Sequence, residues 1–424
     1  MKVVVIVGDG MSDWPVAALG GKTPLMVASK PHMDSIARDG VTGLFSTVPE
    51  GLPLGSEVAN LSVLGYDPRV CLKGRGVLEA ASMGVELGPS DVAMRCNLLT
   101  IDREGRIRNH SAGHISNAEA AEIVGDLDRE LGGGIGPEPA RFYPGVSYRH
   151  LLVFPGSWAS EDFDCVPPHD HVGEREIDLL PVARTKEAEK TVRRVREIHE
   201  KARAILANHP VNVARVASGR DPANSIWAWS PGTRPRMESF KQRFGVSGAV
   251  ISAVDLVRGI GAYAGFERIE VPGATGLHDT NYEGKAAAAL DALGRHDFVY
   301  VHVEATDEAG HQRDVELKIR CIEYLDQRLV RPVVEGLRER GIAATVAILP
   351  DHPTPLASGA HARDPVPVAI HIPGHPADSV QGYDEEQVKA GSLGLLHGDE
   401  FIRRVLGAWR RSGFPGEQSI YGST

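Results

Sequence analysis

The sequence predicts an α/β protein, with a layered α/β core built on a mainly parallel β-sheet and a smaller α+β domain inserted into that core. Three observations support this fold class: apolar runs of strand length, a helical pattern between two of them, and a change of character in mid-chain. A chain of 424 residues also exceeds what one hydrophobic core usually serves. We expect the core to span residues 1–80 and 235–424, and the inserted domain to span residues 81–234.

The predicted sheet begins with Val3–Val7, a continuous β-branched run of the kind found in strands buried on both faces of a parallel sheet. The runs FVYVHV at 298–303 and ATVAIL at 344–349 have the same character. A fourth run, VPVAIHI at 366–372, predicts a further strand of the core.

The segment between the second and third of these strands is predicted to be helical. Its apolar residues recur at helical spacing, at Val315, Ile319, Ile322, Leu329, Val333 and Leu337. Pro332 should kink or break this helix, and Gly341 reads as its end. Strand, helix and strand in this order predict a right-handed crossover between parallel strands.

The middle of the chain has a different pattern. Val92–Ile101 is β-rich, and a largely polar helix with one apolar face is predicted from about Lys186 to Asn208. The segments 132–139 and 167–171 are rich in glycine or proline and are predicted to be loops. These features predict the inserted α+β domain.

Composition limits the classes of function. The chain is 42% hydrophobic and 24% charged, as in a soluble globular enzyme, and its net charge of −10 argues against a nucleic-acid binder. An anionic substrate is still possible, because bound divalent cations and a few arginines reverse the field locally. No run approaches the ~18 apolar residues of a membrane helix. Four scattered cysteines without a C-x-x-C pair, and no signal peptide, predict a cytoplasmic protein with reduced thiols.

An aspartate closely follows each of the three strongest strand candidates: Asp9, Asp307 and Asp351. Ligands of open parallel sheets lie at the carboxyl ends of the strands, so these side chains should meet at one edge. Three carboxylates there would repel each other unless a cation lay between them. Any one of them alone is better explained as a helix cap or a turn residue.

Three histidines accompany these aspartates. His311 follows Asp307 by one helical turn, His352 adjoins Asp351, and His361 lies across a Pro/Gly-rich loop. Carboxylate and imidazole ligands together suit Mn²⁺, Zn²⁺ or Co²⁺ better than Ca²⁺. Three aspartates and three histidines exceed the needs of one ion, so the sequence predicts a two-metal site.

Ser56 completes the predicted site. It follows a stiff Gly/Pro-rich loop at 48–55 and opens a predicted helix. A serine in this position is most often a helix cap, but a helix N-terminus also favours a phosphate, and a serine there can serve as a nucleophile. The local sequence supports both interpretations.

Six motifs resemble the archaeal-type 2,3-bisphosphoglycerate-independent phosphoglycerate mutases of the alkaline phosphatase superfamily. They are GDGMSD at 8–13, PEGLPLGSEVANLSVLGYDP at 49–68, GRGVLEAASMG at 74–84, SAGHIS at 111–116, VEATDEAGH at 303–311 and PDHPTP at 350–355. The resemblance implies an alkaline-phosphatase-like core whose inserted domain handles a small phosphorylated hydroxy acid and excludes water. It also implies interconversion of 3-phosphoglycerate and 2-phosphoglycerate through a phosphoserine, without 2,3-bisphosphoglycerate.

The resemblance assigns roles to individual residues. One metal ion would be held by Asp307, His311 and His361, and the other by Asp9, Ser56, Asp351 and His352. Ser56 would be the nucleophile, and Mn²⁺ is the first expectation, with Mg²⁺, Zn²⁺ or Co²⁺ as alternatives. The residues expected to bind substrate are His114, Arg149, His150, Arg234 and Lys241.

Two departures from the family pattern leave the substrate open. The chain has TDEAGH at 306–311 where many members carry PDEAGH, and GAHARDPVP at 359–367 where His-Thr usually precedes Asp-Pro-Val-Pro. Both segments keep the predicted metal ligands. The alternatives are another metal-dependent phosphotransferase or phosphohydrolase, such as a homoserine kinase-like enzyme, and a non-catalytic binding protein on the same fold. The oligomeric state is not predicted.

Overall fold

The structure, a computed structural model, describes residues 2–132 and 137–407. Its strands, numbered in chain order, are β1 Lys2–Gly8, β2 Val41–Phe45, β3 Val92–Ile101, β4 Ile107–Asn109, β5 Arg141–Tyr143, β6 Arg149–Phe154, β7 Phe163–Asp164, β8 Val182–Ala183, β9 Ser225–Thr233, β10 Gly248–Ile251, β11 Glu267–Ile269, β12 Phe298–Val303, β13 Ala344–Leu349, β14 Val366–His371 and β15 Gly394–Leu396.

The α-helices are α1 Pro24–Val27, α2 Pro31–Arg38, α3 Ser56–Val63, α4 Pro68–Cys71, α5 Arg75–Ser82, α6 Asn117–Leu127, α7 Glu189–Leu206, α8 Pro210–Ala217, α9 Phe240–Phe244, α10 Asp255–Tyr263, α11 Tyr282–Ala292, α12 Ala305–His311, α13 Val315–Leu325, α14 Arg331–Glu339 and α15 Glu400–Leu406. Short 3₁₀ turns occur at Ala17–Leu19, Pro168–His171, Glu176–Leu179 and Gln387–Ala390, and π turns at Asp128–Gly132 and Asp326–Val330. Among the described residues, none of these helices is both long and apolar enough to cross a membrane.

Two compact units make up the chain. Residues up to Cys71 and from Met237 onward form the first unit, and Leu72–Arg236 forms the second. The first boundary therefore lies earlier than the predicted 80/81, because α5 packs on β3 and β9 of the second unit. Gly76 permits this close packing, since a Cβ there would lie 2.5 Å from the carbonyl oxygen of Ala93.

An eight-stranded sheet is the centre of the first unit. Its strand order is β11-β10-β12-β1-β13-β14-β2-β15, and β14 runs antiparallel to both of its neighbours. The remaining pairs are parallel, so the predicted mainly parallel sheet is confirmed. Val3–Val7 of β1 has no exposed surface, as its continuous apolar sequence predicts for a central strand. The fourth predicted strand is also present, as β14.

Pro332 interrupts the long helix between β12 and β13, as predicted. The helix passes from α13 through the π turn Asp326–Val330 into α14, where the proline occupies one of the first two positions. Because a proline has no N–H to donate to the preceding turn, its position directly after the π turn fits the loss of regular α-helical hydrogen bonding there. The helix then ends as predicted at Gly341, which has a left-handed backbone with φ 63°.

The second unit contains a five-stranded antiparallel sheet with the order β4-β3-β6-β5, in which β9 also pairs with β3. The β-rich prediction for Val92–Ile101 is confirmed by β3, and the predicted helix at 186–208 appears as α7. Of the predicted loop at 132–139, residues 133–136 lie outside the described residues. The core of this unit includes apolar residues of β3, β6, α6 and α7.

Substitution of Gly232, in β9, tests the packing of this unit. A Cβ added to Gly232 would lie 1.4 Å from the carbonyl oxygen of Lys73, so Gly232→Ala should force a backbone shift and destabilise the protein by at least about 1–3 kcal/mol. Gly125→Ala is the control, because a Cβ on this α6 residue would meet no atom within 4 Å, and alanine should stabilise the helix by about 0.5–1 kcal/mol. Urea unfolding followed by tryptophan fluorescence measures both changes, and equal stabilities would contradict the predicted clash.

Candidate active site

The three predicted aspartates lie at one edge of the large sheet. β12 and β13 flank β1 on either side and run parallel to it, so their carboxyl ends lie together. Asp9 follows β1, Asp307 lies in the first turn of α12 after β12, and Asp351 follows β13. All three side chains are buried. The topology of the sheet thus brings together carboxylates that are far apart in sequence.

Asp307, His311 and His361 form the first cluster of possible metal ligands. The Nε2 atom of His311 lies 3.0 Å from Asp307 Oδ2, and that of His361 lies 3.5 Å from Asp307 Oδ1. The two Nε2 atoms are only 3.1 Å apart. Two neutral imidazoles cannot both present a lone pair at this separation without a proton or a cation between them. The cluster therefore has the donor set and spacing of a cation site.

Backbone carbonyls orient both of these imidazoles. His311 Nδ1 lies 2.9 Å from the carbonyl oxygen of Gly359, and His361 Nδ1 lies 3.3 Å from that of Leu54. Because a carbonyl oxygen only accepts hydrogen bonds, each Nδ1 must carry a proton. Each neutral ring then has its lone pair on Nε2, which faces Asp307. This arrangement is typical of histidines that bind metals.

Asp9, Asp351 and His352 form the second cluster. Their side chains are at most 1% exposed, and His352 Nε2 lies 3.4 Å from Asp9 Oδ1 and 3.6 Å from Asp351 Oδ2. Asp9 Oδ1 has no hydrogen-bond partner among the described residues although it is fully buried. A buried carboxylate oxygen without a partner is costly, and a bound cation would satisfy it.

The charges of the site depend on how the carboxylates are paired. Burial raises the pKa of Asp9 well above its usual range, and the neighbouring carboxylates of Asp351 and Asp307 raise it further. Burial alone would also raise the pKa of Asp307, but hydrogen bonds from His311 and His361 hold it well below its usual range. The same contact with Asp307 raises the pKa of His311 to about 9. Without a cation, the site therefore holds protons between its ligands.

Ser56 does not cap the helix that it opens. Gly55 occupies the N-cap position of α3, and Ser56 is the first helical residue. The Oγ atom of Ser56 lies 3.1 Å from His352 Nε2. The sequence left two interpretations of Ser56 open, and this geometry does not support the capping interpretation. The hydroxyl lies instead against the second cluster.

His114 belongs to a strained loop of the second unit. Ala112, Gly113 and His114 are consecutive residues with left-handed backbones, at φ 48°, 63° and 50°. Non-glycine residues in this region cost free energy, and they occur mainly where the surrounding structure holds them for a function. Arg215 supports the loop through a hydrogen bond of 2.6 Å from Nη2 to the carbonyl oxygen of Ala112. The imidazole of His114 is exposed.

The other four predicted substrate residues differ in accessibility. Arg149 and His150 are neighbours on β6 and face opposite sides of the sheet. Arg149 is half-buried, with its guanidinium over the ring of Tyr148, whereas His150 is 1% exposed and lies opposite Cys96 on the core side. Burial lowers the pKa of His150 to about 3, so this ring is neutral. Arg234 and Lys241 are exposed.

Sequence reasoning missed several polar residues of the site. Glu304 is close enough to Asp9 and Asp307 to form a third acidic group with them, and burial raises its pKa to about 8. Thr354 Oγ1 donates a hydrogen bond to Asp307 Oδ1 and also lies 3.3 Å from His352 Nδ1. The available signals were a glutamate directly after a buried strand and a threonine inside the PDHPTP motif.

Lys318 was also missed, since its position in α13 gave no signal of function. Its ammonium group is fully buried and donates to Asp13 Oδ2 at 2.7 Å and to the carbonyl oxygens of Ser12 and Thr354 at 3.2 and 2.8 Å. A buried charge pair of this kind is tolerated only when its hydrogen bonds are satisfied. The lysine ties together the two loops that carry Asp9 and His352.

Comparisons with known proteins agree on one family. The family model described as 2,3-bisphosphoglycerate-independent phosphoglycerate mutase matches residues 37–212. A 2,3-bisphosphoglycerate-independent phosphoglycerate mutase of Methanosarcina acetivorans is 50% identical over 407 residues, which cover 96% of this chain and 100% of the relative.

Two solved structures share the fold over nearly the whole chain. A protein from Pyrococcus horikoshii has a TM-score of 0.81 and 28% identity, and the match covers 98% of this chain and 99% of that one. The cofactor-independent phosphoglycerate mutase from Thermoplasma acidophilum has a TM-score of 0.69 and 29% identity, with 96% and 100% covered.

The protonated histidines predict that metal binding depends on pH. A cation must displace the proton of His311, so Mn²⁺ binding should release about one proton or more, and Mn²⁺ affinity should rise between about pH 6 and pH 9. Calorimetric titration of chelator-treated protein in buffers of different ionisation enthalpy measures the release. His311→Ala should reduce it. An affinity that does not change with pH would contradict the assignment.

Proposed function

Because the chain belongs to the 2,3-bisphosphoglycerate-independent phosphoglycerate mutases, we propose that it interconverts 3-phosphoglycerate and 2-phosphoglycerate through a phosphoserine at Ser56. The enzyme is accordingly an isomerase, and its family works independently of 2,3-bisphosphoglycerate. We further propose that two divalent ions are resident cofactors, with Mn²⁺ as the first candidate and Mg²⁺, Zn²⁺ or Co²⁺ as alternatives.

One observation carries the proposal: the hydroxyl of Ser56 lies 3.1 Å from His352 Nε2, at the edge of a cluster of three aspartates and three histidines. A serine hydroxyl is a weak nucleophile by itself and needs activation by its surroundings. The start of a helix adds free backbone N–H groups and a positive dipole end, which favour a phosphoryl group. These features support a phosphoryl-transfer role for Ser56.

The proposed reaction consists of two displacements at phosphorus. In the first, the bond between Ser56 Oγ and phosphorus forms while the bond to O3 of the substrate breaks, and the serine proton ends on that O3. In the second, the 2-hydroxyl of glycerate attacks the same phosphorus, the bond to Ser56 breaks, and the proton returns to the serine. No atom is gained or lost, so the outcome is an isomerisation.

The two clusters would each hold one ion. Asp307, His311 and His361 would bind the first, and Asp9, Asp351, His352 and Ser56 the second. The facing imidazole nitrogens and the unpaired oxygen of Asp9 support this division. When bound, such ions stabilise negative charge on phosphoryl oxygens as Lewis acids. The chain itself would position Ser56 beside the second cluster.

Substrate recognition by the second unit is also part of the proposal. The strained loop supports His114 as a ligand contact, and the buried, unpaired Nε of Arg149 supports this arginine as a partner for a carboxylate or phosphate. Arg234 and Lys241 are accessible and stay in the proposed set. His150 stays a prediction from the sequence alone, because its side chain lies in the core. The further proposal is that this unit shields the phosphoserine from water.

The homoserine kinase-like alternative gains no support from the relatives. The relative that is 50% identical over 96% of the chain carries the mutase name. The departures TDEAGH and GAHARDPVP keep Asp307, His311 and His361 in place, so they do not change the predicted metal chemistry. No observation in the described residues favours a second function.

Ser56→Ala tests the proposal. Because Ser56 is not the N-cap residue, alanine should leave the melting temperature nearly unchanged, while loss of the nucleophile should reduce mutase kcat by several orders of magnitude. The measurement is 3-phosphoglycerate turnover with Mn²⁺, beside a thermal melt. Ser62→Ala is a matched control on the same helix, since the Ser62 Oγ donates to the carbonyl oxygen of Val58 within that helix. Near-normal turnover in Ser56→Ala would refute the phosphoserine mechanism.

A further inference from the structure

Strand β12 contains two polar side chains that its apolar sequence does not require. Tyr300 and His302 alternate with valines in FVYVHV, and both are completely buried. Residues two apart on a strand face the same side of the sheet. Apolar residues would pack at these positions without needing hydrogen-bond partners, so the contacts of the two polar groups call for a functional explanation.

Tyr300 is linked to the predicted metal ligand Asp351 by two hydrogen bonds through Asn60. Its hydroxyl donates to Asn60 Oδ1 at 2.5 Å, and Asn60 Nδ2 donates to Asp351 Oδ2 at 2.8 Å. The same Nδ2 donates to the carbonyl oxygen of Ser56 at 2.8 Å. The carbonyl oxygen of Ser56 can only accept, so the NH₂ group of Asn60 must face it, and the tyrosine hydroxyl then donates to the amide oxygen and fixes this orientation.

The other oxygen of Asp351 is also fixed. Asp351 Oδ1 accepts hydrogen bonds from the backbone N–H groups of Gly10 and His352, at 3.2 and 2.9 Å. With Asn60 on Oδ2, three donors hold the carboxylate. Of these three donors, Asn60 is the one that donates from a side chain, so its hydrogen bond is the one that a substitution can remove.

His302 contacts a second predicted ligand directly. Its Nε2 lies 3.0 Å from Asp9 Oδ2. Its Nδ1 lies 3.3 Å from the Oγ atom of Ser252, which itself accepts a hydrogen bond from the N–H of Val254. The Ser252 hydroxyl still has its own proton to donate, and His302 Nδ1 is within reach of it. If Ser252 donates to Nδ1, the proton of the neutral imidazole is on Nε2, the ring nitrogen nearest to Asp9. Nε2 has no well-aligned hydrogen bond among the described residues, so a small rotation of either side chain is needed for it to donate to Asp9.

We propose that Tyr300 and His302 are positioning residues that hold Asp351 and Asp9 in the geometry that binds the ion beside Ser56. Tyr300 acts through Asn60, and His302 acts on Asp9 itself. Tyr300 reaches Asp351 through Asn60, and His302 Nε2 lies 3.0 Å from Asp9, so both act on ligands of the Asp9–Asp351–His352 cluster. This proposal rests on the proposed two-ion site. It identifies two residues outside the ligand set that determine the affinity of the second cluster for its ion. Hydrogen-bond partners of metal ligands typically change metal affinity 10–100-fold.

Mn²⁺ titration of metal-free protein tests this inference without substrate. Wild type should bind two equivalents. Tyr300→Phe and His302→Leu should each bind one equivalent about 10–100-fold more weakly and the other as wild type does. His302→Gln should retain affinity within a few-fold, because the amide can still donate to Asp9. Free Mn²⁺ is measured by electron paramagnetic resonance.

Tyr383→Phe is the matched control. The Tyr383 hydroxyl is also buried and donates one hydrogen bond, to the carbonyl oxygen of Pro367 at 2.9 Å. The Tyr383→Phe variant therefore loses one buried hydrogen bond, as Tyr300→Phe does, but it should bind both ions with wild-type affinity. Equal melting temperatures for the two phenylalanine variants would separate a loss of metal affinity from a loss of stability.

Three results would overturn the inference. One is normal binding of both equivalents by Tyr300→Phe and His302→Leu, and another is equal weakening by His302→Gln and His302→Leu. The third is a loss of affinity in Tyr383→Phe equal to that in Tyr300→Phe. If wild type bound a single equivalent, the two-ion proposal itself would fail. If Ser56→Ala kept its turnover while Tyr300→Phe lost one ion, the positioning role would stand and the nucleophile would not.

Discussion

The site is built around mutual repulsion between buried carboxylates. Asp9 lies close to Asp351 on one side and to Asp307 on the other, at the edge where three parallel strands end. Two like charges 4 Å apart repel by about 4 kcal/mol even at an effective dielectric constant of 20. The fold cannot relieve this repulsion by moving the side chains into water. It needs protons or cations between them, and the imidazoles on both sides are suited to either.

This constraint also explains the surrounding hydrogen bonds. Backbone carbonyls fix the Nδ1 atoms of His311 and His361, and Lys318 ties together the loops that carry the ligands. Tyr300 and His302, both on β12, hold the carboxylates of Asp351 and Asp9. Each of these contacts orients a charged group that would otherwise move away from its neighbours. The same rigidity holds Ser56 against His352, so the proposed nucleophile depends on the same network.

The sequence was most informative about the central strands of the sheet and about the aspartates that follow them. Continuous apolar runs predicted β1, β12 and β13, because only a strand covered on both faces needs them, and an aspartate after each run predicted the site. Asn60 and Glu304 were missed, because their roles depend on which strands are neighbours, and local spacing does not reveal this. The first domain boundary was placed too late for the same reason: α5 belongs to the second unit through tertiary packing at Gly76.

The central claim is that the phosphoryl group passes through Ser56, and one measurement tests it most directly. Wild-type enzyme with Mn²⁺ and 3-phosphoglycerate is quenched in acid during turnover, digested and analysed by mass spectrometry. The account predicts one added phosphate on the peptide that contains Ser56, and none when substrate is omitted. Turnover without any phosphorylated serine, or with the phosphate on a different residue, would contradict it.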